Sequence, residues 1–323
     1  MKIKRTMLHK DLQPYYFATK AINFIMKRRW TVRIYNALFD HLLKGKEIGG
    51  IDCSEIYIPS SDGRNKIRTR IYKPHGIEEE LPVMIYMHSG GYISGLPESN
   101  HKQIESFLFS RPCVVVAPDY RKALEEPFPA AFNDCYDTVL WLKENARQIH
   151  GKNDSFIIAG HSAGGGLAAA VTLKARDTED FKIAFQMPIY PMIDDGQPTD
   201  PSRFIESPVW DSNTNAFGWN TYLSKLQKEG QDIPVYAAPY RNKNYSNFPP
   251  TITMVGDMEP FYRETVDYVK ALEKESIDVV FKVFKGCFHA FDIGFPNTKI
   301  GQEAIDFIKT GFSEFYDKYL SDK

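Results

Sequence analysis

Apolar and polar positions alternate in short blocks from about residue 50 onward. Eight runs rich in apolar and β-branched residues predict strands at 55–59, 66–72, 83–88, 113–117, 156–159, 183–188, 251–255 and 279–284. Helical periodicity fills the intervals at roughly 98–110, 130–149, 164–176, 261–275 and 299–320. Strands that alternate with such helices predict an α/β fold with a mostly parallel eight-stranded sheet flanked by helices. Since no helix separates the first two runs, we expect the sheet to begin with an antiparallel pair.

Two segments depart from this alternation. Residues 1–45 predict two helices in which large apolar residues recur among lysines and arginines: Tyr16, Phe17, Ile22, Phe24, Ile25 and Trp30. We expect these amphipathic helices to pack on the rest of the protein; helices lying on a membrane surface are the alternative. Residues 194–235 are rich in Pro, Trp and Asn and show no strand pattern. They predict an insertion over one end of the sheet, where lids often lie.

Length and composition indicate a globular protein with one large domain and an added lid or subdomain, and two domains are the alternative. The 323 residues are 43% hydrophobic and 25% charged, and the formal net charge is -1. Such a balanced charge provides no global field that would attract nucleic acid or anionic lipid. The four cysteines lack metal-finger spacing, no secretory signal is recognisable, and no apolar run approaches the roughly 18 residues of a membrane span. We therefore expect a cytoplasmic protein with neither nucleic-acid nor membrane partners.

A serine nucleophile is predicted at Gly160-His161-Ser162-Ala163-Gly164. This G-x-S-x-G pattern lies directly after a predicted strand and before an Ala-rich helix, which is the context that the motif requires. A sharp turn there would lift the hydroxyl of Ser162 away from the backbone, and the glycines would let strand and helix pass closely. The helix N-terminus would also favour negative charge that develops at the site.

The loop His88-Ser89-Gly90-Gly91 predicts donors for an oxyanion. Attack on a carbonyl creates a negatively charged oxygen, which needs backbone N–H groups already in place. We assign this role to Gly90, Gly91 and the N–H of Ala163. His88 is expected to organise the loop rather than to act as a base.

The base is expected at His289, the only histidine that follows Ser162 in the sequence. It lies after the last predicted strand, where a loop would emerge at the carboxyl edge of the sheet, and it would take the proton of Ser162. The carboxylate that orients it should lie in the loop after strand 251–255. That loop offers Asp257 and Glu259, and spacing alone does not choose between them.

Six ordered motifs resemble the hormone-sensitive-lipase group of the α/β-hydrolase superfamily, in its bacterial carboxylesterase branch. The resemblance covers roughly residues 80–320. The motifs lie at 88–91, at Asp119-Tyr120-Arg121 followed by Pro127-Phe128-Pro129-Ala130-Ala131, at 160–165, at Phe248-Pro249-Pro250-Thr251, at 256–261 and at 286–291.

The resemblance implies an α/β-hydrolase fold with a helical cap, and it favours Glu259 over Asp257 as the acid. Cap helices are expected at 1–45, and the catalytic domain at 46–323 with a cap insertion at about 194–235. The chain departs from the group's pattern at Ser89, at His161, where Asp is more frequent, and at Arg263, where an acidic residue is common. Aromatic residues of the cap are expected to line the substrate pocket: Tyr16, Phe17, Trp210, Phe217 and Trp219.

The predicted function is a serine carboxylesterase that hydrolyses short-chain acyl or aryl esters through an acyl-enzyme, without metal or cofactor. Its partner would be a small-molecule ester, and the resemblance also implies a possible homodimer. Two alternatives use the same fold. One is an amide or peptide hydrolase with the same three residues; the other is a small-molecule receptor, which the presence of His289 disfavours.

Overall fold

The central feature of the computed structural model, which describes residues 1–320, is one eight-stranded sheet. The strands are β1 Ile51–Pro59, β2 Lys66–Pro74, β3 Leu81–Met87, β4 Val114–Pro118, β5 Gly151–His161, β6 Ile183–Ile189, β7 Thr251–Gly256 and β8 Val279–Phe284. Each predicted run falls on one of these strands, so the predicted fold class is confirmed. The largest difference is β5, which begins five residues earlier than the apolar run at 156–159, because residues 152–155 are polar and not buried and so do not continue that run.

The sheet has the order β1-β2-β4-β3-β5-β6-β7-β8. β2 pairs antiparallel with both β1 and β4, and the other neighbours pair parallel. The expected antiparallel start is therefore confirmed. Because seven strands run in one direction, their carboxyl ends lie along a single edge of the sheet.

Ten helices surround the sheet within the described part of the chain. They are α1 Tyr16–Ile25, α2 Arg29–Leu43, α3 His101–Leu108, α4 Ala130–Asn145, α5 Ala163–Thr178, α6 Ser212–Tyr222, α7 Ser224–Glu229, α8 Tyr262–Lys274, α9 Phe291–Gly294 and α10 Lys299–Tyr319. Two predicted helices are shorter than expected, because a tight 3-10 turn forms the start of 98–110 and another forms the end of 130–149. None of the ten is both long and apolar enough to cross a membrane.

The apolar strands are buried because helices cover both faces of the sheet. All residues of β3 are buried, and they alternate between two clusters of core side chains. Val83 and Ile85 face the cluster that α4 and α5 cover, while Met84 and Tyr86 face the cluster that α3 and α10 cover. This two-sided burial is the physical reason for the continuous apolar runs in the sequence.

The N-terminal helices expose most of their large apolar residues. Both α1 and α2 form, but Phe17 is 73% exposed and Trp30 is 60% exposed, and Phe24 also faces outward. The side of α1 that is buried carries Tyr16, Thr19 and Asn23 instead. The two helices pack on the rest of the protein through residues such as Tyr16 and Val32, and most of the large apolar residues that the sequence analysis singled out face outward.

Polar contacts explain this orientation of α1. Asn23 donates from Nδ2 to the carbonyl of Ser207 at 2.6 Å, and Lys27 forms an ion pair with Asp211 at 2.8 Å. The hydroxyl of Tyr16 donates to the carbonyl of Ile3 at 2.8 Å. Since a buried polar group without a partner is costly, these contacts hold the polar side of the helix inward, against the insertion between β6 and β7.

The insertion contains no strand, as expected. Residues 194–235 include α6, α7 and short 3-10 turns between the carboxyl end of β6 and the start of β7. The side chain of Asp211 caps α6 by accepting from the N–H of Thr214. The insertion therefore lies beside the carboxyl edge of the sheet, where it contacts α1.

Candidate active site

Ser162 occupies a strained turn between β5 and α5. Its backbone has φ 59° and ψ -120°, a conformation that residues other than glycine rarely adopt. The turn is held by a hydrogen bond from its N–H to the carbonyl of Ile189 at 3.0 Å. A Cβ on Gly160 would lie 2.3 Å from the carbonyl oxygen of Gly164, and one on Gly164 would lie 2.1 Å from that of Met87. Only glycines allow this approach, which is why the motif has them on both sides of the serine.

His289 lies in the loop after β8, beside Ser162. Its Nε2 is 2.8 Å from the Oγ of Ser162, although 127 residues separate them in the sequence. The rings of Tyr190 and Phe261 meet the imidazole edge-on, with centroid distances of 4.9 and 4.8 Å. The imidazole is therefore fixed by packing as well as by hydrogen bonds, with its base nitrogen aimed at the hydroxyl.

Glu259, rather than Asp257, contacts the imidazole. Its Oε2 is 2.5 Å from the Nδ1 of His289, and its Oε1 accepts from the N–H of Gly256 at 3.0 Å. Asp257 instead accepts from the N–H of Gly286 at 2.6 Å, so it ties together the loops that follow β7 and β8. Each carboxylate therefore has its own hydrogen-bond partner, and only Glu259 can orient the imidazole of His289.

The loop at 88–91 lies across the same site. Gly90 has φ 141° and Gly91 has φ 62°, so both adopt conformations that favour glycine. No described residue accepts a hydrogen bond from the backbone N–H of Gly90, Gly91 or Ala163. These three donors remain available for an oxygen atom of a bound molecule.

A cavity of about 350 Å³ opens beside Ser162 and His289. Its walls are mostly apolar and come from α1, α2, the loop at 88–91, the insertion and the segment after His289; they include Ile22, Met26, Tyr35, Val209, Trp210 and Ile293. A pocket of this size and character is typical of a small-molecule site.

Only one of the five predicted pocket aromatics, Trp210, lines this cavity. Phe17 faces outward, and the Tyr16 hydroxyl is held by Ile3. Trp219 is buried against Tyr92, with ring centroids 5.4 Å apart, and Phe217 packs at the margin of the same core. The pocket prediction is wrong for these four, because α1 turns its aromatic side outward and α6 turns its aromatic residues toward the sheet.

Comparison with known proteins assigns the family. The model of a family with the α/β hydrolase fold matches residues 84–293, which is well over half of the chain. The chain belongs to the α/β-hydrolase family. Within it, the sequence and structural relatives place this hydrolase in the hormone-sensitive-lipase group.

Several of the relatives are named esterases. An esterase of Mycobacterium tuberculosis, LipI, is 30% identical over 217 residues, which cover 66% of this chain and 67% of the relative. An arylesterase of Saccharolobus solfataricus is 29% identical over 233 residues, which cover 71% of this chain and 74% of the relative. Among solved structures, a bacterial heroin esterase has a TM-score of 0.82 at 25% identity, covering 96% of this chain and 98% of that one. This hydrolase is a carboxylic ester hydrolase.

A second polar network lies behind the imidazole of this hydrolase. His161 is buried, and its Nδ1 is 2.8 Å from the hydroxyl of Tyr86. The hydroxyl of Tyr190 donates to Oδ1 of Asp292 at 2.9 Å. The Nε2 of His161 and the Oδ2 of Asp292 are 3.8 Å apart, and neither makes a hydrogen bond with a described residue. His161 is thus joined to the base through Tyr190, whose ring packs on His289.

Burial shifts the ionisation of this network. Burial, together with the neighbouring His289, lowers the pKa of His161 to about 3, so His161 is neutral near pH 7. Burial also raises the pKa of Asp292 to about 6. His161 therefore does not supply a positive charge beside Ser162.

Sequence reasoning missed the residues that support the loop at 88–91. The ring of Tyr120 stacks on His88 with centroids 3.9 Å apart, and its hydroxyl donates to the carbonyl of His88 at 2.8 Å. Asn100 accepts from the N–H of Ser89 at 3.1 Å. Tyr120 belongs to one of the motifs of the family resemblance, so that motif was the available signal. No comparable pattern marked Asn100.

Arg263 is exposed and pairs with Asp267 at 2.8 Å, so it does not contact the loop of Glu259 through its side chain. Across residues 1–320, no group of three or more His, Cys, Asp or Glu side chains is arranged to hold a metal ion.

Proposed function

We propose that this hydrolase is a serine carboxylesterase that acts on short-chain acyl or aryl esters through an acyl-enzyme intermediate. The observation that carries the proposal is the continuous contact from Ser162 through His289 to Glu259, with distances of 2.8 and 2.5 Å. All three side chains are nearly buried, which shields the charges that develop during the reaction from water.

Acylation begins when the Nε2 of His289 takes the proton of Ser162. The Oγ forms a bond to the carbonyl carbon of the ester, and the carbonyl oxygen becomes an oxyanion. Glu259 accepts from Nδ1–H throughout, so it holds the tautomer that leaves Nε2 free and stabilises the imidazolium. As the tetrahedral intermediate collapses, the bond to the alcohol oxygen breaks and His289 gives its proton to the leaving alcohol.

The oxyanion is stabilised by the free N–H groups of Gly90, Gly91 and Ala163. These donors are fixed by backbone geometry before the substrate arrives, so their alignment costs no reorganisation during the reaction. Removing one such donor typically lowers turnover by about 100- to 1000-fold. Ala163 also begins α5, whose N-terminal end favours negative charge at this position.

Deacylation repeats the same steps with water. His289 removes a proton from a water molecule, which attacks the acyl carbon. The bond to Ser162 Oγ then breaks, the serine recovers its proton from His289, and the carboxylic acid leaves. This hydrolysis requires no chemistry beyond the side chains already named.

The cavity supports the proposed substrate class. Its volume of about 350 Å³ lies near the lower end of small-molecule pockets, and Trp210 forms one of its walls. The related arylesterase of Saccharolobus solfataricus, by its name, acts on aryl esters, and an aromatic wall suits an aryl group. We infer that residues 1–45 and 194–235 form a cap, since both contribute to the lining.

The proposal is tested by the variant Ser162→Ala. We expect kcat for p-nitrophenyl acetate hydrolysis to fall by about 10⁴-fold or more, because loss of the nucleophile leaves only substrate binding and oxyanion stabilisation. Ser61→Ala, which changes an exposed serine, is the matched control and should retain activity. An active Ser162→Ala enzyme would refute the proposal, and faster turnover of a matched anilide than of the ester would refute the proposed substrate class.

A further inference from the structure

The helices α1 and α2 expose their apolar side. Thirteen large apolar side chains are exposed in the described part of the chain, and eight of them lie within 26 consecutive residues. These eight residues, which we call the outer apolar face, are Phe17, Ile22, Phe24, Ile25, Trp30, Ile34, Leu38 and Leu42. Surface apolar residues are usually scattered, so a concentration of this kind indicates a contact surface.

The exposed apolar residues of α2 are regularly spaced along one side of the helix. Trp30, Ile34, Leu38 and Leu42 recur every four residues, so they follow one side of the helix. Ile34 is 61% exposed and Leu38 is 51% exposed. The contacts of Asn23 and Lys27 with the insertion hold α1 in its present rotation. Burying the apolar side against the protein would break those contacts, so the exposure is built into the fold.

Positive charge is concentrated in the same segment. Residues 1–45 contain ten Lys and Arg against two Asp, and so carry a formal charge of +8 in a chain whose net charge is -1. The guanidinium of Arg28 lies 4.3 Å from the ring centroid of Phe24, which places a cation at the edge of the apolar residues. Helices with aromatic and aliphatic residues on one side and Lys or Arg beside them bind the interface of anionic lipids.

The outer apolar face is continuous with the active-site cavity. Ile22 is part of that face and also lines the cavity, together with Met26 and Tyr35 from the same two helices. A molecule that left an apolar phase beside Ile22 would therefore meet the wall of the cavity directly.

We propose that the outer apolar face docks this esterase on the surface of an anionic lipid bilayer, with Ile22 at the junction between the lipid and the active-site cavity. The apolar side chains enter the boundary between headgroups and acyl chains, and the cations that flank them, such as Lys20 and Arg28, pair with lipid phosphates and carboxylates. Docking of this kind needs no membrane-spanning helix, and it does not depend on the proposed catalytic roles.

A second copy of the chain fits the outer apolar face less well than an anionic bilayer does. Two copies that met through this face would bring together two segments of charge +8, and like charges oppose such an approach. An anionic bilayer supplies both the apolar phase and the opposite charge. The homodimer that the family resemblance implies would use another surface.

The docking is tested by co-sedimentation of the full chain with lipid vesicles. We expect binding to phosphatidylcholine vesicles that contain about 30 mol% phosphatidylserine to be at least about tenfold stronger than binding to pure phosphatidylcholine, and to weaken as salt rises to about 0.5 M. Equal binding to both vesicles, or no binding to either, would overturn the proposal. Using Ser162→Ala protein separates this result from the catalytic proposal, because docking requires no turnover.

A matched pair of variants locates the contact. We expect the double variant Ile34→Ser/Leu38→Ser to bind anionic vesicles about tenfold or more weakly, and its hydrolysis of a water-soluble ester to be unchanged. Phe109→Ser is the control, since Phe109 is 65% exposed on another part of the molecule. An unchanged affinity in the double variant would overturn the proposal. So would sedimentation velocity that showed a dimer lost in that variant, because the face would then belong to a second copy.

The fluorescence of Trp30 reports on docking without a substitution that could destabilise the protein. We expect its fluorescence to shift to the blue on anionic vesicles and to be quenched by lipids brominated in the acyl chain. Trp30→Phe protein gives the contribution of the other three tryptophans. If brominated lipids quench both proteins equally, Trp30 does not enter the bilayer and the proposal fails.

Discussion

At the scale of single residues, the two carboxylates of the loop after β7 have different roles because their side chains reach different partners. Asp257 and Glu259 are two positions apart, yet one reaches the backbone of Gly286 and the other reaches His289. Spacing could not distinguish them, and it was the family resemblance that favoured Glu259. The contact geometry depends on the turn of the loop, which a sequence pattern does not specify.

The variants Glu259→Gln and Asp257→Asn should separate these roles. Glutamine cannot stabilise the imidazolium and can present its amide group to Nδ1, so we expect kcat to fall by about 10³- to 10⁴-fold. Asparagine at 257 can still accept from the N–H of Gly286 through its Oδ1, so we expect a loss below about tenfold. Steady-state kinetics on one ester measure both. A larger loss in Asp257→Asn than in Glu259→Gln would reverse the assignment.

Asp292 should make the free energy of unfolding depend on pH. Burial raises the pKa of Asp292 from 3.8 to about 6, so between about pH 4 and 6 the folded protein keeps a proton that the unfolded chain releases. The protonated carboxyl of Asp292 therefore makes the folded state more stable near pH 4 than at neutral pH. This stabilisation is lost as the pH rises through about 6. The full change corresponds to about 3 kcal/mol.

The variant Asp292→Asn lacks this titration. We expect its Tm relative to the parent protein to rise by roughly 5 °C between pH 4 and 7, as measured by calorimetry at both pH values. Asp306→Asn, at an exposed position on α10, is the control and should show no such trend. A Tm difference that stays constant with pH would contradict the role of Asp292.

At the scale of elements, the periodic parts of the chain could be predicted and the aperiodic parts could not. Continuous apolar runs identified β3 and β4 because helices bury both faces of the sheet. For α1, periodicity revealed two faces but not which of them points inward; hydrogen bonds with the insertion decide that. The insertion itself has no period, so its sequence could not show that Trp210 enters the cavity while Trp219 enters the core.

Trp210 should limit the length of the acyl or alcohol chain. Its ring forms a wall of the cavity and touches the loop of Gly91, where an added Cβ would lie 2.1 Å from the ring. We expect Trp210→Ala to shift the optimum of kcat/KM toward longer chains by about two carbons or more, because the lost ring enlarges an apolar pocket. A series of p-nitrophenyl esters from acetyl to dodecanoyl measures the optimum.

Trp30→Ala is the control for this series, since Trp30 is exposed and does not line the cavity. Its optimum should equal that of the parent protein. An optimum at long chains in the parent protein, or an unchanged optimum in Trp210→Ala, would contradict the proposed pocket.

At the scale of the whole molecule, the parallel sheet brings together loops that are far apart in the sequence. Ser162 follows β5, Glu259 follows β7 and His289 follows β8, so each lies at the carboxyl end of its strand. That arrangement could be predicted, because strands of one direction end at one edge. Net charge, in contrast, concealed a strongly basic N-terminal segment within an almost neutral chain. The cytoplasmic location and the homodimer stay predictions.

The central claim is that Ser162 forms a covalent acyl-enzyme, and covalent trapping tests it most directly. The protein is treated with a p-nitrophenyl alkylphosphonate, digested, and mapped by mass spectrometry. Our account predicts loss of activity, with one phosphonyl group per chain on the peptide that contains Ser162, and no adduct in Ser162→Ala protein. An adduct on a different residue, or full inhibition without any adduct, would contradict it.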